Sequence, residues 1–345
     1  MSLKTEIFEQ PAVASRLISA KWPEIQDLAT RLRNHTIRYI FLAARGTSDN
    51  AGRYAKYLFG AHNQVPVALA APSLFSLYSH PPRLDDCLVI AISQSGQSPD
   101  IVSVLEEAGR QGTPSIAITN DASSPLSGAA QFTLELSAGQ ELSVAATKTY
   151  TAELLTIALL STAISGEADL FQQIQNIPRW MEEVLDQQVQ IQAAAQDFVE
   201  MSHCVVISRG YNYATAFEWS LKLKELSYII AEPYSSADFM HGPVALLEGN
   251  FPVFLVAPNG ETFAQLYGLA KDVLLPRHVN LLSITNRTEM KELPGTHFLI
   301  APKIPEWLSP IVSILPAQMF CTALAGAKGL DLEHPRGLSK ITLTH

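Results

Sequence analysis

The heptapeptide Ser93-Gln94-Ser95-Gly96-Gln97-Ser98-Pro99 gathers hydroxyls and amides around one glycine, with no lysine or arginine among them. It follows the unbroken apolar run Cys87-Leu88-Val89-Ile90-Ala91-Ile92 and precedes a helical pattern. A buried strand that turns into a helix this way is suited to an anion, because the helix start offers unpaired N–H groups and positive partial charge. A phosphate here would be held by amides and hydroxyls. Ser98 is a natural N-cap, and Pro99 suits the first helical position. A second turn, Arg45-Gly46-Thr47-Ser48-Asp49-Asn50-Ala51-Gly52, has the same form. It has neither the glycine spacing of a dinucleotide fingerprint nor the Gly-Lys-Ser/Thr of a Walker loop. Alone, Thr47 or Ser48 reads as an ordinary N-cap. Two such turns at the carboxyl ends of parallel strands mark the edge at which open α/β sheets bind ligands.

Acid–base candidates lie in the second half. A helix is predicted over 217–230, with Trp219, Leu223, Leu226 and Ile230 on one apolar stripe and Phe217, Leu221 and Tyr228 on another. Between the stripes lie Glu218, Lys222 and Glu225. A carboxylate and an amine walled by apolar groups should titrate abnormally, which suits a general base. The plain alternative is a surface ion pair. His241 lies in a predicted loop, Asp238-Phe239-Met240-His241-Gly242-Pro243; a lone histidine is more often a structural hydrogen-bonder than a catalyst, yet the residue type suits proton shuttling. Ser143–Thr149 reads as a capped helix start. His334-Pro335-Arg336-Gly337-Leu338-Ser339-Lys340 reads as a solvated, non-helical tail. The nine histidines form no H-x-x-x-H or Cys/His cluster, so no metal is expected.

The elements that position these residues alternate. The first 35 or so residues read as helical, broken at Pro11 and Pro23. Strands are predicted over 37–44, 65–70, 87–92, 115–119 and 132–136, and helices over 48–59 and 100–111. Such alternation means parallel strands with crossover helices. A long apolar helix is predicted over 147–165, and a second helical stretch over 178–198. The second half then repeats the first. Gly46 and Gly210 follow matching strands 164 positions apart, Gly96 and Gly260 are again 164 apart, and Asn120 and Asn286 are 166 apart. Duplication of one α/β domain follows. The second copy has Ala257-Pro258-Asn259-Gly260-Glu261 in place of the serine-rich turn, and its acid would repel phosphate. A ligand site is therefore expected in the first copy, finished by parts of the second.

Composition bounds the partners. The chain has 345 residues, 47% hydrophobic and 17% charged, and a net charge of −9. That describes a globular chain with no basic patch for nucleic acid. Cys87, Cys204 and Cys321 are widely spaced, as buried reduced thiols would be. The first residues lack a signal peptide's apolar region. The longest apolar stretch is read near 154–164, too short to span a bilayer. A cytoplasmic location is expected.

Gly46-Thr47-Ser48, Ser93–Ser98, Lys222-Leu223-Lys224-Glu225, His241-Gly242-Pro243 and Pro335-Arg336-x-Leu338-Ser339-Lys340 occur in this order. With them the chain resembles the double-SIS (sugar isomerase) family, the isomerase half of glucosamine-6-phosphate synthase. The match runs from about residue 5 to the C-terminus. The resemblance implies two tandem doubly wound, flavodoxin-like parallel-sheet domains (α/β) with flanking helices. The divisions are 1–165, 166–330 and a tail over 331–345. It implies that Gly46, Thr47, Ser48, Ser93, Gln94, Ser95 and Ser98 hold the substrate phosphate, and that Val144 and Ser339 line the sugar site. Glu225 would move a proton between C1 and C2, and His241 would open the sugar ring from the partner subunit of a homodimer. Lys340 would form a Schiff base with the open-chain ketose, assisted by Lys222. A Schiff base acidifies the adjacent C–H, so one base suffices for the transfer. No cofactor is implied.

The departures matter. The chain is expected to act without the synthase's glutaminase half; Arg45 stands where the synthase has Cys, Ala146 replaces a Ser, and Asp238 replaces a Glu. These point to stand-alone members that act as amino-sugar-phosphate deaminases. The expected activity interconverts glucosamine 6-phosphate with fructose 6-phosphate and ammonia. A glutamine-independent aminotransferase or a fructosamine-6-phosphate deglycase would share the phosphate cradle. A non-catalytic sugar-phosphate sensor would keep the serine-rich turn but can lose Glu225 and Lys340.

Overall fold

The computed structural model of the chain describes residues 2–340; the last five residues of the expected tail lie outside them. The first sheet comprises β1 (Tyr39–Ala43), β2 (Val67–Leu69), β3 (Cys87–Ile92), β4 (Ser115–Thr119) and β5 (Phe132–Glu135). All its pairs are parallel, in the order β2-β1-β3-β4-β5. Every residue of β3 is buried, as a central parallel strand covered on both faces must be. The second sheet comprises β6 (His203–Ser208), β7 (Ile230–Ser235), β8 (Pro252–Val256), β9 (Asn280–Thr285) and β10 (Thr296–Leu299). Its order, β10-β9-β8-β6-β7, is that of the first sheet read from the opposite edge. Both are the flavodoxin-like arrangement, with the strand order reversing between the first and third strands of each copy. The turns after β1 and β3 flank that reversal in the first sheet. The duplication extends to the backbone, since Gly46 (φ +52°) and Gly210 (φ +64°) both take the left-handed conformation after their strands.

The chain divides into two compact units. One holds Ala12–Glu141, Lys148–Gln175 and Ser339–Lys340, and contains the first sheet. The other holds Ser2–Pro11, Leu142–Thr147 and Asn176–Leu338, and contains the second sheet. In the first-sheet unit, Val89, Ala91, Ala117 and Leu126 pack with Ile101, Val104 and Leu105 of the Pro99–Gln111 helix. In the second-sheet unit, Trp219 stacks on Phe254 at 4.8 Å between ring centres, and Phe320 meets Phe254 edge-on at 5.3 Å.

Several expectations are corrected. Pro23 does not end a helix, because Gln10–Leu32 runs through it. The stretch expected over 178–198 is three pieces, Ile177–Leu185, Gln188–Ala195 and a short 3-10 turn at Gln196–Phe198. The most apolar helical segment is Glu306–Ala327, not 154–164. It is long and apolar enough to cross a membrane, but 89% of its most apolar 18-residue stretch is buried inside the protein. Its helix Ser309–Ala327 serves as the core helix of the second-sheet unit. All three cysteines are free and buried.

Candidate active site

In the first-sheet unit, the turn after β3 is built around Gly96. Its φ is +62°, and a Cβ there would lie 2.2 Å from Ser124 Oγ and 3.1 Å from Thr119 Oγ1, so no side chain fits. The Gly96 N–H donates to the Ser93 carbonyl and hydroxyl, both at 3.2 Å. The Gln97 N–H donates weakly to Ser95 Oγ at 3.4 Å. Ser98 occupies the N-cap position with extended backbone and Pro99 follows it, as expected. The Ser98 hydroxyl, however, makes no capping hydrogen bond; only its carbonyl serves the helix, accepting from Ile101 and Val102. Beside this turn lies a pocket of about 720 Å³ lined by Gln94, Ser95, Gln97, Glu141 and Lys340, with Asp121 and Glu135 on its wall.

The turn after β1 differs from expectation. The helix starts at Gly46, so Arg45, not Thr47 or Ser48, holds the N-cap position, without a side-chain cap. Arg45 Nε donates to the buried Asp100 carboxylate at 2.8 Å, tying this turn to the first turn of the Pro99–Gln111 helix. The Ser48 hydroxyl is buried and donates to Glu153 Oε1 at 2.8 Å. Its proton is therefore committed inside the unit. Gly46 is exposed and Thr47 half-buried.

Lys340 enters the same unit from the end of the tail. Its Nζ donates to Glu141 Oε2 at 2.9 Å. Glu141 has no exposed side chain, and it accepts from the Thr149 N–H (3.1 Å) and the Thr149 hydroxyl (2.7 Å) at the start of the Lys148–Ser165 helix. Lys148 is also buried, and its Nζ donates to the Gln140 carbonyl at 2.7 Å. Ser339 is exposed.

In the second-sheet unit, the helix Tyr213–Ser227 carries the acid–base candidates Glu218, Lys222 and Glu225. Tyr228 takes a left-handed conformation (φ +56°) and caps it, so Ile230 begins β7 and is 67% exposed rather than joining the apolar stripe. Trp219, Leu223 and Leu226 are buried as expected. Lys222 is buried, with its Nζ 2.5 Å from Glu225 Oε2 and 3.3 Å from Glu218 Oε1. This is no surface pair. Burial alone would lower the ammonium's pKa, but the Glu218 and Glu225 carboxylates outweigh it and raise that pKa above its ordinary value. Lys222 is thus a fixed cation. Glu225 keeps about a fifth of its side chain exposed, so it faces both a cation and solvent.

His241 does not lie in an open loop. It is exposed at the C-terminal end of the short helix Ser236–Met240, its N–H bonded to the Asp238 carbonyl at 3.0 Å. Val144 is half-buried on a segment pinned by Glu6, whose buried carboxylate accepts from the N–H groups of Leu142 (2.5 Å) and Ser143 (3.3 Å).

The expected residues thus divide by unit. Gly46, Thr47, Ser48, Ser93, Gln94, Ser95, Ser98, Ser339 and Lys340 belong to the first-sheet unit, and Val144, Lys222, Glu225 and His241 to the second. In the first, Gln94, Ser95 and Lys340 share one pocket, which Gly46, Thr47, Ser48, Ser93 and Ser98 do not line. In the second, Lys222 and Glu225 touch, and His241 stands on another element. Glu141, Glu6, Glu153 and Asp100 escaped the sequence reading. The available signal was acids at positions where the surrounding pattern calls for burial. Among the described residues, no group of three or more His, Cys, Asp or Glu is placed to hold a metal.

The SIS domain model matches residues 35–163 and 197–327, most of the chain. The chain belongs to the SIS domain family. This SIS chain is 33% identical, over 97% of its length, to the isomerizing glutamine–fructose-6-phosphate aminotransferase of Thermosynechococcus vestitus. It spans 58% of that relative's length. Among solved structures, it resembles the C-terminal domain of glucosamine-fructose-6-phosphate aminotransferase from Francisella tularensis. There the TM-score is 0.88 at 27% identity, covering 96% of this chain and 98% of that one. A protein from Silicibacter pomeroyi, described as a phosphosugar isomerase, is 30% identical with a TM-score of 0.85, covering 96% and 99%. The two sheets are the two tandem SIS domains.

Proposed function

We propose that this SIS protein is a phosphosugar isomerase acting on amino sugars, interconverting glucosamine 6-phosphate and water with fructose 6-phosphate and ammonia. The observation that carries the reading is Lys340, whose amine lines the same pocket as Gln94 and Ser95 of the glycine-centred turn. A turn suited to an anion and a lysine suited to a carbonyl fit the two ends of a phosphorylated ketose. The names of the similar proteins agree with that substrate class.

The roles follow from the chemistry. Ser93, Gln94, Ser95 and Ser98, with Gly46 and Thr47, hold the phosphate through hydroxyls and amides. Lys340 attacks C2 of the open-chain ketose with loss of water to form the imine, and ammonia then adds to C2 and displaces the lysine amine, leaving the sugar imine on which the proton moves. Glu225 moves the proton between C1 and C2, with the Lys222 ammonium held beside it. Val144 and Ser339 line the sugar site. His241 opens the ring in a neighbouring copy, so the working form is a homodimer. Residues 1–165 bring the phosphate site, 166–330 the base and histidine, and the tail the lysine.

Purified protein given glucosamine 6-phosphate should release ammonia. Equal inertness of wild type and Glu225→Gln would sink the reading. Trapping fructose 6-phosphate with borohydride should label Lys340, whereas a sensor would bind the sugar and never label. The named activity of the aminotransferase relatives supports assaying the same step in reverse, from fructose 6-phosphate and ammonia. Mixing His241→Ala with Lys340→Ala subunits should restore activity if the site is shared between copies.

A further inference from the structure

The segment Leu142–Thr147 forms no helix or strand of its own, yet a buried side chain 136 residues away holds its backbone. Glu6 Oε1 accepts the Leu142 N–H at 2.5 Å, and the Ser143 N–H is shared between the two carboxylate oxygens at 3.3 Å each. Consecutive N–H groups converging on one anion form a nest, filled here by the chain's own carboxylate. Glu6 has no exposed surface. It sits on the short helix Leu3–Phe8, which buries Leu3 and Ile7 and packs on the helix Ser309–Ala327. That short helix is itself fixed at both ends. Glu333 Oε1 accepts the Leu3 N–H at 3.2 Å, and just beyond the helix Gln10 Nε2 donates to Gln318 Oε1 at 2.8 Å. Gln318 Nε2 in turn reaches the Thr147 carbonyl at 3.4 Å. A carboxylate thus grips the start of the segment and an amide its end, and all of these residues belong to the second-sheet unit.

We propose that Glu6 is a positioning residue for the sugar: it fixes the Leu142–Thr147 segment so that Val144 is in place before substrate arrives, and so sets the preference for a phosphorylated sugar over bare phosphate. The proposal rests on the reading of Val144 given above. Val144 directly follows the two gripped amides and is half-buried. A wall residue on an irregular segment contributes to affinity only in the fraction of molecules that hold it in position. Without the anchor, binding must also supply the ordering of the segment. A carboxylate suits the task, because its bonds to backbone N–H groups are about twice as strong as neutral ones. The serine-rich turn belongs to the first-sheet unit, and Glu6 makes no hydrogen bond to it among the described residues. Loss of the anchor therefore acts on the sugar end of the ligand and leaves the phosphate end alone.

The test compares inorganic phosphate with fructose 6-phosphate by calorimetry on the full chain. Glu6→Gln keeps the shape and one acceptor oxygen but replaces the other with a donor. Its affinity for fructose 6-phosphate should fall about ten-fold, the factor for a segment in place about one tenth of the time, with phosphate affinity unchanged. Glu6→Asp, which keeps both acceptor oxygens, should recover part of the loss. Hydrogen–deuterium exchange over residues 142–147 should be at least about ten-fold faster in Glu6→Gln, with residues 93–98 unaffected. Thermal unfolding checks that each variant is folded, and a general loss of structure would lower both affinities together. Equal exchange over 142–147 in wild type and Glu6→Gln overturns the proposal, and so does a parallel loss of both affinities. Val144→Ala separates the proposal from the reading beneath it. If Val144→Ala alters the preference for the sugar phosphate and Glu6→Gln does not, the proposal is overturned while the reading stands. If neither alters it, the reading of Val144 falls and the proposal with it.

Discussion

Lys222 Nζ lies 2.5 Å from Glu225 Oε2 on one face of a single helix, and Lys222 has almost no exposed side chain. Its other partner, Glu218, is wholly buried 3.3 Å away. One cation thus serves two carboxylates, one of which opens to solvent. The open one, Glu225, is the member that solvent reaches, and the closed one holds the cation in place. Replacing Glu225 by Gln keeps the shape and an acceptor for Lys222 but removes the proposed base. A loss of about 100- to 10,000-fold in kcat is expected, the usual range for a general base. Affinity for inorganic phosphate, measured by calorimetry, should be unchanged.

Lys222 also carries a stability prediction. Lys222→Met leaves Glu218 as a buried charge without its cation, which costs about 3–5 kcal/mol when such a pair is broken. The pH dependence follows from the raised folded pKa of Lys222. Below the ordinary value of 10.5 both folded and unfolded chains hold the proton, and the stabilisation is complete. Above it the unfolded chain loses its proton first, and the advantage declines as the pH climbs toward the folded value. Denaturant titrations should therefore show the gap between wild type and Lys222→Met narrowing as the pH rises above about 10. A gap that narrows between pH 6 and 8 would mean that another group controls it.

Ser48 is a case where the same residue admits a binding and a structural role, and its hydrogen bond separates them. The hydroxyl donates to Glu153 inside the unit at 2.8 Å. Ser48→Ala removes a donor from a buried carboxylate, so a loss of about 1–3 kcal/mol is expected by chemical denaturation. Phosphate affinity should fall less than in Ser95→Ala, because Ser95 lines the pocket. The reverse order would return Ser48 to the cradle.

What the sequence made readable follows its physical range. The apolar run of β3, its serine-glycine turn and Pro99 are contiguous, and short-range sterics and helix-end chemistry decide them locally. The repeated glycines at a constant spacing carried the duplication, because a left-handed turn after each strand needs them. Ile230 was misread because nothing in the 4-3-4 spacing says where the helix stops; Tyr228 takes the left-handed conformation there, which few non-glycine residues do. Ser98 was expected to cap its helix by side chain, yet it caps by position alone. Glu141 and Lys340 are 199 residues apart, and Glu6 and Leu142 are 136 apart. No local pattern pairs residues so distant, so the carboxylates that anchor the site stayed silent until the chain was folded.

Gly96 tests the turn itself. At φ +62° an L side chain already costs about 1–2 kcal/mol, and its Cβ would stand 2.2 Å from Ser124 Oγ. Ser124 cannot simply swing aside, because its hydroxyl accepts the Ser127 N–H and caps the Pro125–Ala129 helix. Gly96→Ala should therefore displace either the turn or that cap, lowering stability by about 2–4 kcal/mol from strain and lost capping together. Phosphate affinity should fall more than in Ser95→Ala, since the backbone amides move as well as one hydroxyl.

The last element is the strap that leads to Lys340. The Tyr228 hydroxyl accepts the Arg336 N–H at 2.7 Å, and the Arg336 guanidinium lies 4.5 Å from the centre of the same ring. The residue that ends the Tyr213–Ser227 helix therefore also fastens the tail, four residues before Lys340. Tyr228→Phe keeps the ring and its attraction for the cation but deletes the acceptor. The Arg336 amide then faces solvent without a partner, at a cost of about 0.5–1.5 kcal/mol. That energy corresponds to roughly two- to twelve-fold faster amide exchange at Arg336, measured by hydrogen–deuterium exchange with mass spectrometry. Tyr228→Ala removes both contacts and should speed exchange further. If both variants exchange like the wild type, the tail is held by other contacts and Tyr228 serves only to end its helix.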